Sequence, residues 1–203
     1  MERTEQLLTT IDRLGAAKIK HLQRIHDLKS YRNACLVVRK LMPYTHQFYH
    51  DKAKVIYLNK EGRQLIGSTK EVKKSPLIAH TLLRNEAFIH FGCPLDWRTE
   101  HPLTKQETAL SGFQIKVEGL SLKQEKKVIA DAVFSRNGYL YIIEIDHTRN
   151  MADNRKKIEL YREILPSLEN PLLYLFTGSD DRKRKLAAWM KGMRGEVKTF
   201  VEI

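Results

Sequence analysis

Residues 128–146, VIADAVFSRNGYLYIIEID, leave this chain few choices of local structure. Val128–Ser135 alternates apolar with small or polar residues, and Tyr139–Asp146 is a second β-rich run. Between them lies Arg136-Asn137-Gly138, whose Asn-Gly pair accepts the positive φ of a tight hairpin turn. The spacing predicts an antiparallel hairpin carrying Asp131, Glu144 and Asp146. Glu144 and Asp146 stand two apart on one strand, so their side chains leave the same face. Carboxylates on a strand rich in Ile and Tyr are costly to bury unless a cation or donor compensates them. A divalent-metal site would use this layout, and so would the solvated face of an edge hairpin. The residues alone leave both readings open.

A chain of 203 residues suffices for one large domain or two small ones. With 42% hydrophobic and 30% charged residues, a soluble globular protein is expected. No apolar run approaches the roughly 20 residues that cross a bilayer. The N-terminal Met-Glu-Arg-Thr-Glu-Gln lacks the basic-then-apolar pattern of a signal peptide, and Cys35 and Cys93 are too few for a disulfide framework or zinc site. A cytoplasmic location is therefore expected. The net charge of +12 points to a polyanion partner. No basic amphipathic helix with aromatic anchors is evident, which favours double-stranded DNA over a membrane surface. Residues 1–66 hold 13 Lys and Arg against 6 Asp and Glu, more than half of the excess.

That first third has the periodicity of a winged helix-turn-helix. Glu5–Leu14 carries Leu7, Leu8, Ile11 and Leu14 on one stripe and is stopped by Gly15. A second helix is predicted over Ala17–His26, and a third over Tyr31–Met42, with Ser30 as N-cap and Pro43 as terminator. A hairpin follows, with Gln47-Phe48-Tyr49, the turn Asp51-Lys52-Ala53-Lys54, and Val55-Ile56-Tyr57-Leu58; Asn59–Ile66 closes the unit as a short helix. In such a unit the third helix enters the major groove and the wing touches backbone or minor groove. Tyr31, Arg32 and Asn33 open that helix, and Arg32 and Asn33 are the candidates for base edges. Lys29, Lys52 and Lys54 are placed for phosphates.

Gly67–Ser75 is polar and without period, and reads as a linker. The remainder, 76–203, is predicted to be one α/β domain. Its elements are a helix over Leu77–Phe91, a strand near Trp97–Glu100, the acidic hairpin, a helix over Met151–Ile164, a buried strand over Leu172–Phe176, a helix over Arg182–Lys191 capped by Ser179, and a strand over Val197–Val201. Phe113–Val117 is a further candidate strand in the poorly patterned stretch 101–127. The order describes a mixed sheet with helices packed on it, making the whole an α+β chain.

Asp131 in Ala130-Asp131-Ala132, with Glu144 in Ile143-Glu144-Ile145-Asp146, resembles the PD-(D/E)xK nuclease-like fold. Nearly the whole chain resembles the replication-relaxation family of plasmids, phages and integrative elements. The matching residues are Val55-Ile56-Tyr57-Leu58 with Gly62, His80-Thr81-Leu82 with Asn85-Glu86, Ile129-Ala130-Asp131, the Glu144 motif, and Lys157 followed by Tyr161. The resemblance implies a winged helix fused to a nuclease-like domain, with a role in replication or transfer of a mobile element.

The departure is at Asp146, where active members of that nuclease superfamily normally carry Lys. An ionised carboxylate there can neither donate a hydrogen bond nor supply positive charge to a transition state. The resemblance offers Lys157, from the following helix, as the substitute, while Lys156 points about 100° away. Asp131, Glu144, Asp146 and Lys157 are thus the candidate catalytic set. Glu86, Asp131, Glu144 and Asp146 are the candidate ligands for Mg²⁺ or Mn²⁺, which oxygen donors favour. His80 and His147 are weaker candidates. Two functions follow: a DNA-binding accessory or regulatory protein with an inactive nuclease-like domain, or a Mg²⁺- or Mn²⁺-dependent DNA endonuclease targeted by its winged helix. A homodimer and a replication or relaxase protein of the same element remain open as partners.

Overall fold

A computed structural model describes residues 3–105, 126–147 and 149–203. The chain is α+β and divides into two compact units, Met1–Cys93 and Pro94–Ile203.

In the first unit, α1 (Arg3–Leu14) buries the predicted stripe Leu7, Leu8, Ile11 and Leu14. Ala17–Lys18 is not the start of a helix. It forms β1, pairing Ala17 with Ile56 of β3, so α2 spans only Ile19–Ile25. α3 (Tyr31–Arg39) starts at Ser30, whose hydroxyl accepts from the Asn33 N–H. It ends earlier than predicted, and a 3-10 turn at Met42–Tyr44 leads into β2 (Thr45–His50). β2 and β3 (Ala53–Leu58) form a hairpin joined by two residues rather than four, because His50 pairs directly with Ala53. The antiparallel sheet has the order β1-β3-β2. α4 (Lys60–Ile66) is capped by Asn59, whose Oδ1 accepts from Gly62 N–H at 2.8 Å. Gly62 is required there, since a Cβ would stand 2.2 Å from the Tyr44 carbonyl oxygen.

The helix α5 (Ile78–His90) corrects the predicted boundary. It belongs to the first unit, not the second. Ile78 and Leu82 join Ala16 and Val55 in a buried cluster, with Phe48 and Tyr57 packed against it. Asn85 donates to the Ala16 carbonyl at 2.6 Å. The stretch expected to be a linker also stays with this unit: Ser68 donates to Asp12, Lys70 Nζ donates to the Asp12 carbonyl, and Lys74 Nζ sits 5.0 Å from the Phe48 ring. The physical reason is the sheet itself. Val55, Tyr57 and Phe48 make one of its faces apolar, and a helix with an apolar stripe covers it.

The second unit is a five-stranded mixed sheet of order β4-β5-β6-β7-β8. β4 (Arg98–Thr104), β5 (Lys127–Arg136) and β6 (Tyr139–Asp146) are antiparallel neighbours, and β7 (Pro171–Thr177) and β8 (Gly195–Thr199) continue in parallel. The helices α6 (Met151–Ile164) and α7 (Asp180–Trp189) provide the parallel crossovers. Ile142, Leu173, Leu175 and Val197 of the sheet share a core with Ile158, Tyr161 and Ile164 of α6 and with Leu186 of α7. On β6 the opposite-parity residue Tyr141 stacks between Phe134 and Tyr174, and Trp97 stacks on Phe134. The candidate strand Phe113–Val117 lies outside the described residues. Among those described, no helix is long and apolar enough to cross a membrane.

Candidate functional site

The acidic hairpin turns at Asn137 and Gly138, both at positive φ, and presents Glu144 and Asp146 towards α6. On α6, Asn154, Lys157, Ile158 and Tyr161 recur every three or four residues, so the stripe that buries the helix also carries polar groups to the sheet. Lys157 Nζ donates to Glu144 Oε2 at 2.6 Å, and the Tyr161 hydroxyl donates to Oε1. Arg149 Nη1 stands 3.7 Å from Oε2. The β5–β6 ladder reaches Ala132–Ile143, and beyond it the Ile145 N–H is taken by Asp131 Oδ2 at 2.7 Å. Burial first, and the nearby Asp131 charge second, push the Glu144 carboxyl up to about 7 against the pull of Lys157 and Tyr161. Burial and the Glu144 charge in turn push the Tyr161 hydroxyl well above its ordinary range. Asp131, Glu144 and Lys157 are thus brought together.

Asp146 shares a strand face and a small cavity with Glu144 and Lys157, but its carboxylate is held by other donors. Its Oδ1 accepts from Asn154 Nδ2 at 2.7 Å and from Arg182 Nη2 at 2.6 Å. Its Oδ2 accepts from Thr177 Oγ1 at 2.8 Å and from Arg182 Nε at 2.7 Å. Burial pushes its carboxyl up, but these donors, led by Arg182, outweigh it and hold the group below the usual range. The bidentate Arg182 pair anchors β6 to α7, a contact that the expectation of Asp146 as catalytic residue or metal ligand did not include. Sequence reading missed Arg182 and Thr177. The signal available was an acid on an apolar strand, which demanded donors without saying where they lie.

Glu86 belongs to the first unit. Its Oε1 is 2.9 Å from His21 Nε2 and its Oε2 accepts from Arg24 Nη1 at 2.8 Å, which fastens α5 to α2 within the first unit. His80 lies on the same helix, and His147 is exposed just past β6. Among the described residues, no group of three or more His, Cys, Asp or Glu is arranged to hold a metal ion. As they stand, the carboxylates do not fit a hard divalent cation. Both Glu144 oxygens are engaged by donors, and Asp146 is enclosed by four.

In the first unit, Tyr31, Arg32 and Lys52 are exposed, and Lys54 is half-buried with its Nζ 5.9 Å from the Tyr49 ring. Lys29 is exposed and paired with Asp27 at 2.7 Å. Asn33, expected to meet base edges, donates its Nδ2 to the Leu28 carbonyl at 2.9 Å and holds the α2–α3 turn. Sequence reading passed over Arg39 and Tyr49. With Tyr31, Met42, Lys52 and Lys54 they line an open groove of about 310 Å³ between α3 and the hairpin.

A family model described as replication-relaxation matches residues 4–171. The chain belongs to that family. No curated protein matches it. Among solved structures, protein VC1899 from Vibrio cholerae is similar at 15% identity and a TM-score of 0.39. That match covers 100% of this chain and 54% of the other, so the chain spans about half the length of that protein.

Proposed function

We propose that this member of the replication-relaxation family is a DNA-binding accessory or regulatory protein that serves replication or transfer of a mobile element. In this reading the first unit is a winged helix-turn-helix, and the second is a PD-(D/E)xK-like unit that does not cut. The partition of charge carries the reading. Residues 1–93 hold 17 Lys and Arg against 8 Asp and Glu, whereas residues 94–203 hold 19 against 16. The excess therefore sits beside an exposed helix and hairpin that bear Arg32, Arg39, Lys52 and Lys54. In the second unit Glu144 and Asp146 are already matched by cations and donors. Each phosphate contact adds roughly 0.9 to the slope of log affinity against log salt. Lys52→Ala with Lys54→Ala should weaken binding to every duplex and flatten that slope by about 1.8. An unchanged slope removes the hairpin from the DNA interface.

A second reading, a Mg²⁺- or Mn²⁺-dependent endonuclease, draws support from one contact, Lys157 beside Glu144 and near Asp131. It requires Glu144 to exchange its present donors for a cation. Incubation with supercoiled and single-stranded DNA under Mg²⁺ and Mn²⁺ decides between the two. No cleavage by wild type is expected. Cleavage that disappears in both Glu144→Ala and Lys157→Ala would establish the enzyme.

A further inference from the structure

We infer that the groove between α3 and the β2–β3 hairpin receives one unpaired nucleotide of bound DNA, with its base stacked on Tyr49 and its phosphate held by the groove's cations. The inference rests on the duplex-binding reading above and adds what the groove itself would take. Tyr31, Cys35, Arg39 and Met42 follow one another at helical spacing along one side, and Gln47 and Tyr49 leave the same face of β2 on the other. At about 310 Å³ the groove is at the lower end of small-ligand sites, roughly 300–1,000 Å³, which suits a single nucleotide.

Its chemistry is equally selective. Arg39, Lys52 and Lys54 line it, and no Asp or Glu does. Tyr49 is 72% exposed, Met42 59% and Tyr31 48%, so three large apolar surfaces face solvent together. Lys54, the register partner of Tyr49, holds its ammonium 5.9 Å from that ring. Flat aromatic surface beside cations matches a nucleotide, which is a flat ring carrying an anion, and such stacking works with any base. The groove also adjoins the exposed stripe Arg32, Leu36 and Lys40, one helical step around α3. A duplex lying along that stripe passes the groove mouth, and a nucleotide displaced from its pair enters.

The test compares two labelled duplexes of one sequence by fluorescence anisotropy with the full chain. One is fully paired, and the other carries a single bulged 2-aminopurine. The bulged duplex should bind about tenfold tighter, with the 2-aminopurine quenched on binding. Tyr49→Ala should abolish the preference and the quenching but leave paired-duplex affinity unchanged, while Tyr49→Phe keeps all three. Met42→Glu, at an exposed position, tests the groove by a second route should Tyr49→Ala perturb the hairpin, and it too should abolish the preference. Equal affinity for the two duplexes, or a preference that survives both Tyr49→Ala and Met42→Glu, overturns the inference and leaves duplex binding standing. Binding of neither duplex overturns the duplex-binding reading along with it.

Discussion

One hairpin of each unit breaks a local rule, and the two breaches are handled in opposite ways. The hairpins β2–β3 and β5–β6 turn through the same kind of two-residue, positive-φ connection. The second uses Asn137 (φ 52°) and Gly138 (φ 76°), residues suited to it, whereas the first uses Asp51 (φ 45°) and Lys52 (φ 60°). A lysine at left-handed φ is strained, and Lys52 stands at an exposed tip. The second unit instead buries two carboxylates on β6 and surrounds them with donors. An uncompensated breach at a surface is expected where the residue serves something outside the fold. A compensated breach in a core serves the fold itself. Asp146 is fully compensated, Glu144 partly, and Lys52 not at all, so their substitutions should differ in size and sign.

The largest effect is expected at Asp146. In Asp146→Ala the buried donors of Asn154 and Thr177 lose their acceptor, and Arg182 loses its bidentate partner. Breaking a buried pair from one side costs about 3–5 kcal/mol, and Asp146→Ala breaks four hydrogen bonds at once. Trp97 and Trp189 are the two tryptophans of the chain and both lie in the second unit, so their fluorescence during urea unfolding isolates this loss. A loss below about 1 kcal/mol would place Asp146 among ordinary surface pairs and erase the contrast with Lys52.

Local rules made much of this legible. The Asn137-Gly138 turn, the α1 stripe, the Ser30 and Ser179 caps and the apolar run of β7 each depend on neighbours in sequence, and each stands where its pattern put it. What escaped depended on distant neighbours. Ala17 and Lys18 look helical by composition but pair with β3 some forty residues on. The apolar stripe of α5 says that it packs, not on which sheet, and its cover of β2–β3 became visible only with the Ile78–Val55 cluster in place. Asp146 had the same ambiguity. Its donors come from three separate elements, α6, β7 and α7, and the chain between it and Arg182 spans a whole crossover and more. Lys157 came from the family resemblance alone, which pointed to the helix after β6, and its contact with Glu144 was not legible from periodicity.

Glu144 should show an intermediate effect with a definite sign. Its folded carboxyl titrates at about 7, above the ordinary value of about 4.3 that it has when unfolded. Between those values the folded state holds the proton more tightly, so stability falls as pH rises and the loss is complete above the folded value. The loss is on the order of 3 kcal/mol. Glu144→Gln removes the titration and keeps the shape. Its stability should therefore match wild type at pH 4.5 and exceed it at pH 8, read from tryptophan fluorescence in urea. A wild type that gains stability over this interval relative to the variant would mean that Lys157 and Tyr161 compensate Glu144 as completely as Arg182 compensates Asp146. The grading between the two acids would then be lost.

The smallest effect is the reciprocal exchange of turn residues. Lys52→Gly relieves an L side chain of left-handed φ and should stabilise the first hairpin by up to about 1 kcal/mol, less the entropy that glycine returns to the unfolded chain. Gly138→Lys imposes the same strain on the second hairpin. The space around Gly138 is open, so only backbone strain opposes that change, and it should cost about 1 kcal/mol. Amide hydrogen exchange across each hairpin reads both changes locally. The function separates them further. Lys52→Gly should tighten the hairpin and still weaken binding to duplex DNA, because the residue that strains the turn is the one proposed to meet phosphate. Gly138→Lys should loosen its own hairpin and leave DNA affinity where it was, although it adds a positive charge. If instead the added lysine at 138 raises affinity as much as the loss of Lys52 lowers it, DNA responds to net charge alone. Position at the β2–β3 tip would then have no special part in binding.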